Sequence, residues 1–373
     1  MRTRVPRIQL TRRDFLSQGA GGAIAGMAAA MLRPAKARGA DGGRNPFAYD
    51  VEKYRRTDPA LLGYEEVGRH KSPKGQPRRM ALGPEDRWYL AAGTGISVLD
   101  RNGRPVSEVA CAGAVRSLGV GADGTVYAGL KDHVEVHDAR GKRIAVWNAP
   151  EGRPFLTGIA VGKREVFVAD SGNRIVWRHD LSGKVLGRIG GKDVQRNIPG
   201  LVLPSPYLDV ELGADGLLRV NNPGRHRVEL YTVEGDLEMA WGKASMGIEG
   251  FCGCCNPVNL ALLADGRVVT FEKGLPRVKV YAADGAFECV VAGPESFADT
   301  GGADAIREAD EVLYGGLDGV VDSTGRVIVV DLMGGTIHVM KRKPGTASAG
   351  SRGPASSTHG TPEGSIIRSG KDS

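Results

Sequence analysis

The sequence predicts an all-β fold built from one repeated unit, and three observations lead there. A segment running Gly158-Ile159-Ala160-Val161, Glu165 to Asp170, Ile175 to Arg178 and Lys184 to Ile189 holds four short apolar-alternating stretches with turns between them. The same order recurs, with turns at Asp86, Asn102-Gly103, Asp123-Gly124, Arg140-Gly141, Asp215-Gly216, Glu234-Gly235, Asp265-Gly266, Asp284-Gly285 and Thr324-Gly325. Pairs of this kind between alternating strands are strong hairpin signals. Helical periodicity is nearly absent from Gly75 to Lys343. Units of roughly 40–50 residues with four strands each are the signature of propeller blades. Six such units predict a six-bladed β-propeller.

Taken in chain order, residues 1–37 read as an export leader. Arg12-Arg13 with Phe15-Leu16 precedes a weakly apolar run from Gly19 to Leu32 and the small-residue end Ala35-Lys36-Ala37. That run, about 14 residues, is shorter than the ~20 a spanning helix needs. The arginine pair resembles the twin-arginine (Tat) signal, which implies export of a folded protein to the periplasm. No other stretch is long enough to cross a membrane as a helix, so no stable span is expected once the leader is cleaved.

Roughly 335 residues remain after cleavage, within the range of one large β-domain. The formal charge of +7 is inflated by the seven basic residues of the leader. The body shows no basic block interleaved with aromatics, so a nucleic-acid partner is excluded. Residues 38–59 form a linker and residues 60–343 the propeller. Residues 344–373, rich in Ser, Gly, Pro and Thr, cannot bury enough apolar surface to order and read as a disordered tail.

The sixth unit stops at Thr336 to Met340 without an outer strand. Leu61-Leu62-Gly63-Tyr64-Glu65-Glu66-Val67-Gly68, ahead of the first unit, resembles the outer stretch Val185 to Gly190. This N-terminal strand is therefore expected to complete the sixth blade and close the ring, removing its open edges. A monomer is expected.

The stretch Val168-Ala169-Asp170-Ser171-Gly172-Asn173-Arg174-Ile175 resembles the NHL repeat family. The resemblance covers nearly the whole body, best in the third unit and weakest in the first two. Related propellers include amidating lyases and lactonases with a central metal. The lyases need several channel histidines, and this chain has seven in all with no pattern repeated across units.

Phe251-Cys252-Gly253-Cys254-Cys255-Asn256-Pro257 carries three of the five cysteines in four positions, just before the inner strand of the fifth unit. Loops that enter inner strands share a face with those joining second and third strands, which places this cluster near the channel mouth. Thiolates at these spacings suit copper or another soft metal, or an iron–sulfur cluster. A fourth ligand would come from His133, His226 or Asp170, or from a partner. The alternatives are a Cys252–Cys255 or vicinal Cys254–Cys255 disulfide, or an active redox pair. Cys111 and Cys289 read as buried small apolar residues.

Asn256, Asn222, Arg225, Glu272 and Lys273 are expected on the same binding face. Glu272-Lys273 is read as replacing the Ala-Asp of the best unit. Arg174, Arg227 and Arg277 are read as one repeat position at the start of the third strand, making contacts between blades. The functional expectation is a periplasmic binding or scaffold module for another periplasmic protein or a small ligand at the channel mouth. The alternatives are a metal- or iron–sulfur-dependent redox protein and a propeller-type lyase or hydrolase.

Overall fold

The structure, a computed structural model, describes residues 52–300 and 316–345. The leader at 1–37, the linker up to residue 51 and the tail after residue 345 lie outside the described residues. Twenty-four strands form six four-stranded antiparallel sheets. Blade 1 holds β2 (Arg79–Leu82), β3 (Trp88–Ala92), β4 (Gly95–Leu99) and β5 (Pro105–Ala110). Blade 2 holds β6 (Ser117–Val120), β7 (Val126–Gly129), β8 (His133–His137) and β9 (Arg143–Asn148). Blade 3 holds β10 (Leu156–Val161), β11 (Glu165–Asp170), β12 (Ile175–Asp180) and β13 (Val185–Ile189). Blade 4 holds β14 (Val210–Leu212), β15 (Leu218–Asn222), β16 (Arg227–Tyr231) and β17 (Leu237–Trp241). Blade 5 holds β18 (Asn259–Leu262), β19 (Val268–Phe271), β20 (Val278–Tyr281) and β21 (Phe287–Ala292). Blade 6 holds β22 (Leu317–Val321), β23 (Val327–Asp331), β24 (Thr336–Arg342) and, as its outer strand, β1 (Tyr64–Lys71).

The N-terminal strand closes the ring as expected: β1 runs antiparallel to β24, with Tyr64 opposite Arg342 and Lys71 opposite Thr336. The six inner strands β2, β6, β10, β14, β18 and β22 neighbour one another in that order, and β22 returns to β2. This is the all-β, six-bladed propeller with four-stranded blades that the repeat predicts.

The apolar residues divide into six buried clusters, one for each interface between neighbouring blades. A single sheet has two faces to cover, and stacking around a ring covers both. Second and third strands are accordingly buried along nearly their whole length, whereas an outer strand such as β5 is exposed at most positions. The turn glycines serve this stacking. Gly285 has φ 89°, and a Cβ there would lie 2.4 Å from the Trp241 ring of the preceding blade's outer strand. Gly183 stands in the same relation to Trp147. A side chain at either position would meet both a steric and a backbone penalty.

Candidate functional site

The axis of the ring is crossed by one buried arginine. Arg79, at the start of β2, reaches from blade 1 to Asp209 of blade 4 and to Asn259 of blade 5, hydrogen-bonding both. It also lies 3.4 Å from Asp318 of blade 6. Each partner is anchored from behind by backbone. Asp209 accepts from the Leu260 amide at 2.9 Å, Asp318 from the Met80 amide at 2.7 Å, and Asn259 donates to the Leu317 carbonyl at 2.7 Å. Glu211, two residues into the same inner segment as Asp209, joins the group and is partly buried.

Asp209 and Asp318 thus share one buried guanidinium, with the partly buried Glu211 carboxyl nearby. Burial pushes the Glu211 carboxyl well above the ordinary carboxylate range, and the Asp209 charge adds to the push. Burial raises Asp318 to about 6, against the pull of Arg79. Burial likewise raises Asp209. On Arg79, burial works against the charged form, but Asp209 and Asp318 outweigh it and hold the guanidinium charged.

Arg79 separates two cavities. On the face carrying the loops that enter the inner strands, a cavity of about 430 Å³ is lined by Arg78, Arg79, Arg116, Phe155, Tyr207 and Asn259 among others. Its lining holds three arginines and, among the described residues, no acidic side chain. Phe155 and Tyr207 are themselves backed by cations: Arg116 lies 4.7 Å from the Phe155 ring centre and Lys273 lies 4.1 Å from that of Tyr207. On the far side of Arg79, a cavity of about 280 Å³ is lined by Glu211, Asp318 and apolar inner-strand residues.

The cysteine loop lies on the mouth side, because it leads directly into Asn259. Its members do different things. Cys252 is buried, with Sγ 3.7 Å from Glu272 Oε2. Burial, followed by the Glu272 charge, raises its thiol pKa. Cys254 is exposed, and its Sγ is 3.4 Å from that of buried Cys255. That contact, followed by burial, raises the Cys254 thiol. The three sulfurs do not meet at one point. Among the described residues the only trio of His, Cys, Asp or Glu side chains with ligating atoms all within 4.8 Å of one another is Cys111, Glu135 and His137.

The suggested fourth ligands are also committed elsewhere. His226 directs Nε2 to the Gly253 carbonyl at 2.7 Å, so it holds the loop by its backbone. His133 opens β8 in blade 2, with Nδ1 2.8 Å from Asp132. Asp170 in blade 3 accepts from the amides of Phe155 and Asn173 and from the Trp177 indole. Asn256 is buried and braces the loop, donating to the Cys252 carbonyl at 2.8 Å and to that of Lys273 at 3.0 Å. Asn222, also buried, accepts from the Val202 amide and donates to Glu229. Of the expected binding-face residues, Arg225 and Lys273 alone retain partial exposure.

Glu272 is fully buried beneath the loop and pairs with Arg277 at 2.7 Å and Lys279 at 2.6 Å. Lys279 also donates to the carbonyls of Ile248 and Gly250, and Arg277 to those of Met246 and Gly250. Burial drives the Lys279 ammonium down to about 8 although Glu272 opposes it. These contacts fix the segment leading into Cys252.

Two readings of the repeat are corrected by register. Asp170 pairs with Ile175 and Asn222 with Arg227, and the Glu272 amide bonds the Arg277 carbonyl at the same five-residue spacing. Glu272 therefore stands in the column of Asp170 itself, not of Ala169. Arg277 and Arg227 share a column with Ile175, whereas Arg174 matches His226; both sit in the left-handed turn, at φ 58° and 56°. Arg227 is exposed and Arg277 buried, so the column has no common role. Cys289 is buried in the blade 5–6 interface as expected; Cys111 also packs against an apolar core, that of blades 1 and 2, but is only half-buried and lies against His137 and Glu135.

The axial residues were not singled out from sequence, yet a signal existed. Asp209, Asn259 and Asp318 fall in one column of the repeat, polar residues at the head of apolar inner strands. Arg79 falls in the same column, opposite Ala91 as Asn259 stands opposite Phe271 and Asp318 opposite Val330.

The class that fold and site define is an all-β propeller with a ligand-sized cavity at its channel mouth. No protein-family model matches the chain, and no curated protein matches it either. Among solved structures it is similar to the selenomethionine-substituted virginiamycin B lyase from Staphylococcus aureus. That match has 10% identity and a TM-score of 0.51, covering 75% of this chain and 100% of that one. A catalytically inactive variant of virginiamycin B lyase from the same organism, with quinupristin, matches at 11% identity and a TM-score of 0.50. That match covers 72% of this chain and 80% of the other. The likeness is one of fold.

Proposed function

We propose that this protein is a binding propeller whose ligand is a small molecule with an anionic group, carboxylate or phosphate, seated in the 430 Å³ mouth cavity. The observation that carries the reading is the lining: Arg78, Arg79 and Arg116 with aromatic walls from Phe155 and Tyr207 and no acidic side chain among the described residues. Ligand sites are commonly concave, largely apolar and completed by a few charged groups, and arginine suits planar anions because its donors match them two at a time. An NHL-type propeller exported by the twin-arginine route to the periplasm is the setting in which this reading belongs. Titration calorimetry with a panel of aliphatic and aromatic carboxylates and phosphate esters tests it. A binder should lose about tenfold or more in affinity in Arg116→Ala, since a hydrogen bond to a charged group contributes about 1.5–3 kcal/mol. Absence of any binder, or a binder indifferent to Arg116, would sink the reading.

A lyase or hydrolase is the second reading, favoured by Glu211 and Asp318 beside the second cavity. Carboxyls raised toward neutrality suit proton transfer, and the chain shares its fold with a lyase. Under this reading Glu211→Gln abolishes turnover of a bound ligand while leaving its affinity intact. The cysteine loop supports a narrower version of the redox reading, in which Cys254 and Cys255 act as a vicinal pair. A copper or iron–sulfur centre on Cys252, Cys254 and Cys255 requires Cys252 to leave Glu272. Metal analysis of protein purified without air, compared with Cys254→Ser, decides it.

A further inference from the structure

Cys111, Glu135 and His137 form a cluster away from both the axis and the cysteine loop. Glu135 and His137 lie two apart on β8 and so share one face of the strand, while Val134 and Val136 on the opposite face enter the blade 2–3 core. Cys111 follows β5, the outer strand of blade 1, and meets them across the blade 1–2 interface. Its Sγ is 3.8 Å from His137 Nε2, and His137 Nε2 is 3.3 Å from Glu135 Oε2. Tetrahedral zinc with Zn–S near 2.3 Å and Zn–N and Zn–O near 2.0–2.1 Å separates its ligands by about 3.6 Å for S···N and about 3.3 Å for N···O. The observed edges match these values.

The surroundings orient the ligands as a metal site requires. His137 Nδ1 is 3.3 Å from the Gly141 carbonyl, a contact in which only the nitrogen can donate, and this turns Nε2 toward the cluster. Arg143 hydrogen-bonds Glu135 Oε1 and the Ala112 amide donates to Oε2 at 3.2 Å. His137 and Glu135 are fully buried and Cys111 partly exposed, so a route from solvent exists on the thiol side.

We propose that Cys111, Glu135 and His137 bind a divalent transition ion, zinc by the chemistry of the set, with water in the fourth position. Binding releases the thiol proton to solvent and forms one bond each from Sγ, Nε2 and Oε2 to the ion. The site clasps the end of blade 1's outer strand to the third strand of blade 2.

Cobalt titration of the chelator-treated full chain tests this. One equivalent should give a thiolate-to-cobalt charge-transfer band that zinc displaces. The band should vanish in Cys111→Ser and in His137→Gln and persist in Cys254→Ser. A second measurement needs no variant: zinc should slow alkylation of Cys111 in the wild-type chain at least tenfold, read by peptide mass mapping. No band, a band lost in Cys254→Ser but kept in Cys111→Ser, or an alkylation rate unchanged by zinc would each overturn the assignment.

Discussion

Two buried charge clusters in this propeller have opposite compositions. At the axis one cation, Arg79, faces Asp209, Asp318 and Glu211, and two cavities open on it. In blade 5 one carboxylate, Glu272, faces two cations, Arg277 and Lys279, which donate four further hydrogen bonds to the three carbonyls of Met246, Ile248 and Gly250. Burying an ion is costly unless charge partners and hydrogen bonds replace its water. Blade 5 meets most of that condition from within, with Arg277 Nε left unpaired. The axial cluster meets it only in part and stays adjacent to space a ligand can fill. The difference separates a brace from a candidate site more clearly than burial alone.

The largest effect should come from breaking the brace. Glu272→Gln leaves two cations without a counter-charge and should cost about 3–5 kcal/mol in urea unfolding. A change below about 1 kcal/mol would mean that Lys279 is neutral already and that the carbonyls suffice.

Opposite compositions also predict opposite pH slopes. The Lys279 amine loses its proton near 8 in the folded state and near 10.5 in the unfolded chain. The folded state therefore binds fewer protons between those values. Its contribution to stability is full above 10.5 and is lost as pH falls through 8, a difference of at most about 3 kcal/mol. Asp318 keeps its proton up to about 6 when folded, against 3.8 unfolded. The folded state then binds more protons, so this contribution is full below 3.8 and is lost as pH rises through 6, again at most about 3 kcal/mol. Lys279→Met should flatten the alkaline slope and Asp318→Asn the acidic one. Stability–pH curves showing the same slope in variant and parent would remove the contrast.

Smaller effects sharpen the comparison. Arg227→Ala should change stability by no more than about 0.5 kcal/mol, as exposed substitutions do, whereas Arg277→Ala in the same column should cost about 3 kcal/mol. Equal values would show that the column, not the Glu272 network, sets the energy. Mild oxidation should remove two hydrogens and join Cys254 to Cys255, leaving Cys252 free to alkylate after unfolding. Mapping the linkage to Cys252 instead would show that the Glu272 contact yields easily.

Much of the architecture was legible in the chain because propeller order is written locally. Turn pairs such as Asp215-Gly216 and Asp284-Gly285 mark hairpins within a few residues, and the repeat shows an outer strand missing at one end and spare at the other. Side-chain placement was less legible. Glu272 and Lys273 differ by one residue in register, and one residue decides whether a strand's side chain enters the interface or leaves it. The three neighbouring cysteines suggested a single centre, yet backbone direction sends Cys252 to Glu272 and leaves Cys254 in solvent.

The sequence by itself determined the blade count, the strand order and the closure by β1, since these rest on period-two patterning and turn chemistry between near neighbours. Only the tertiary structure decided that Arg79 meets Asp209, Asn259 and Asp318, and that Cys111 meets Glu135 and His137. Ring closure brings residues as much as 239 positions apart to one axis, and no local pattern encodes which side chains converge there.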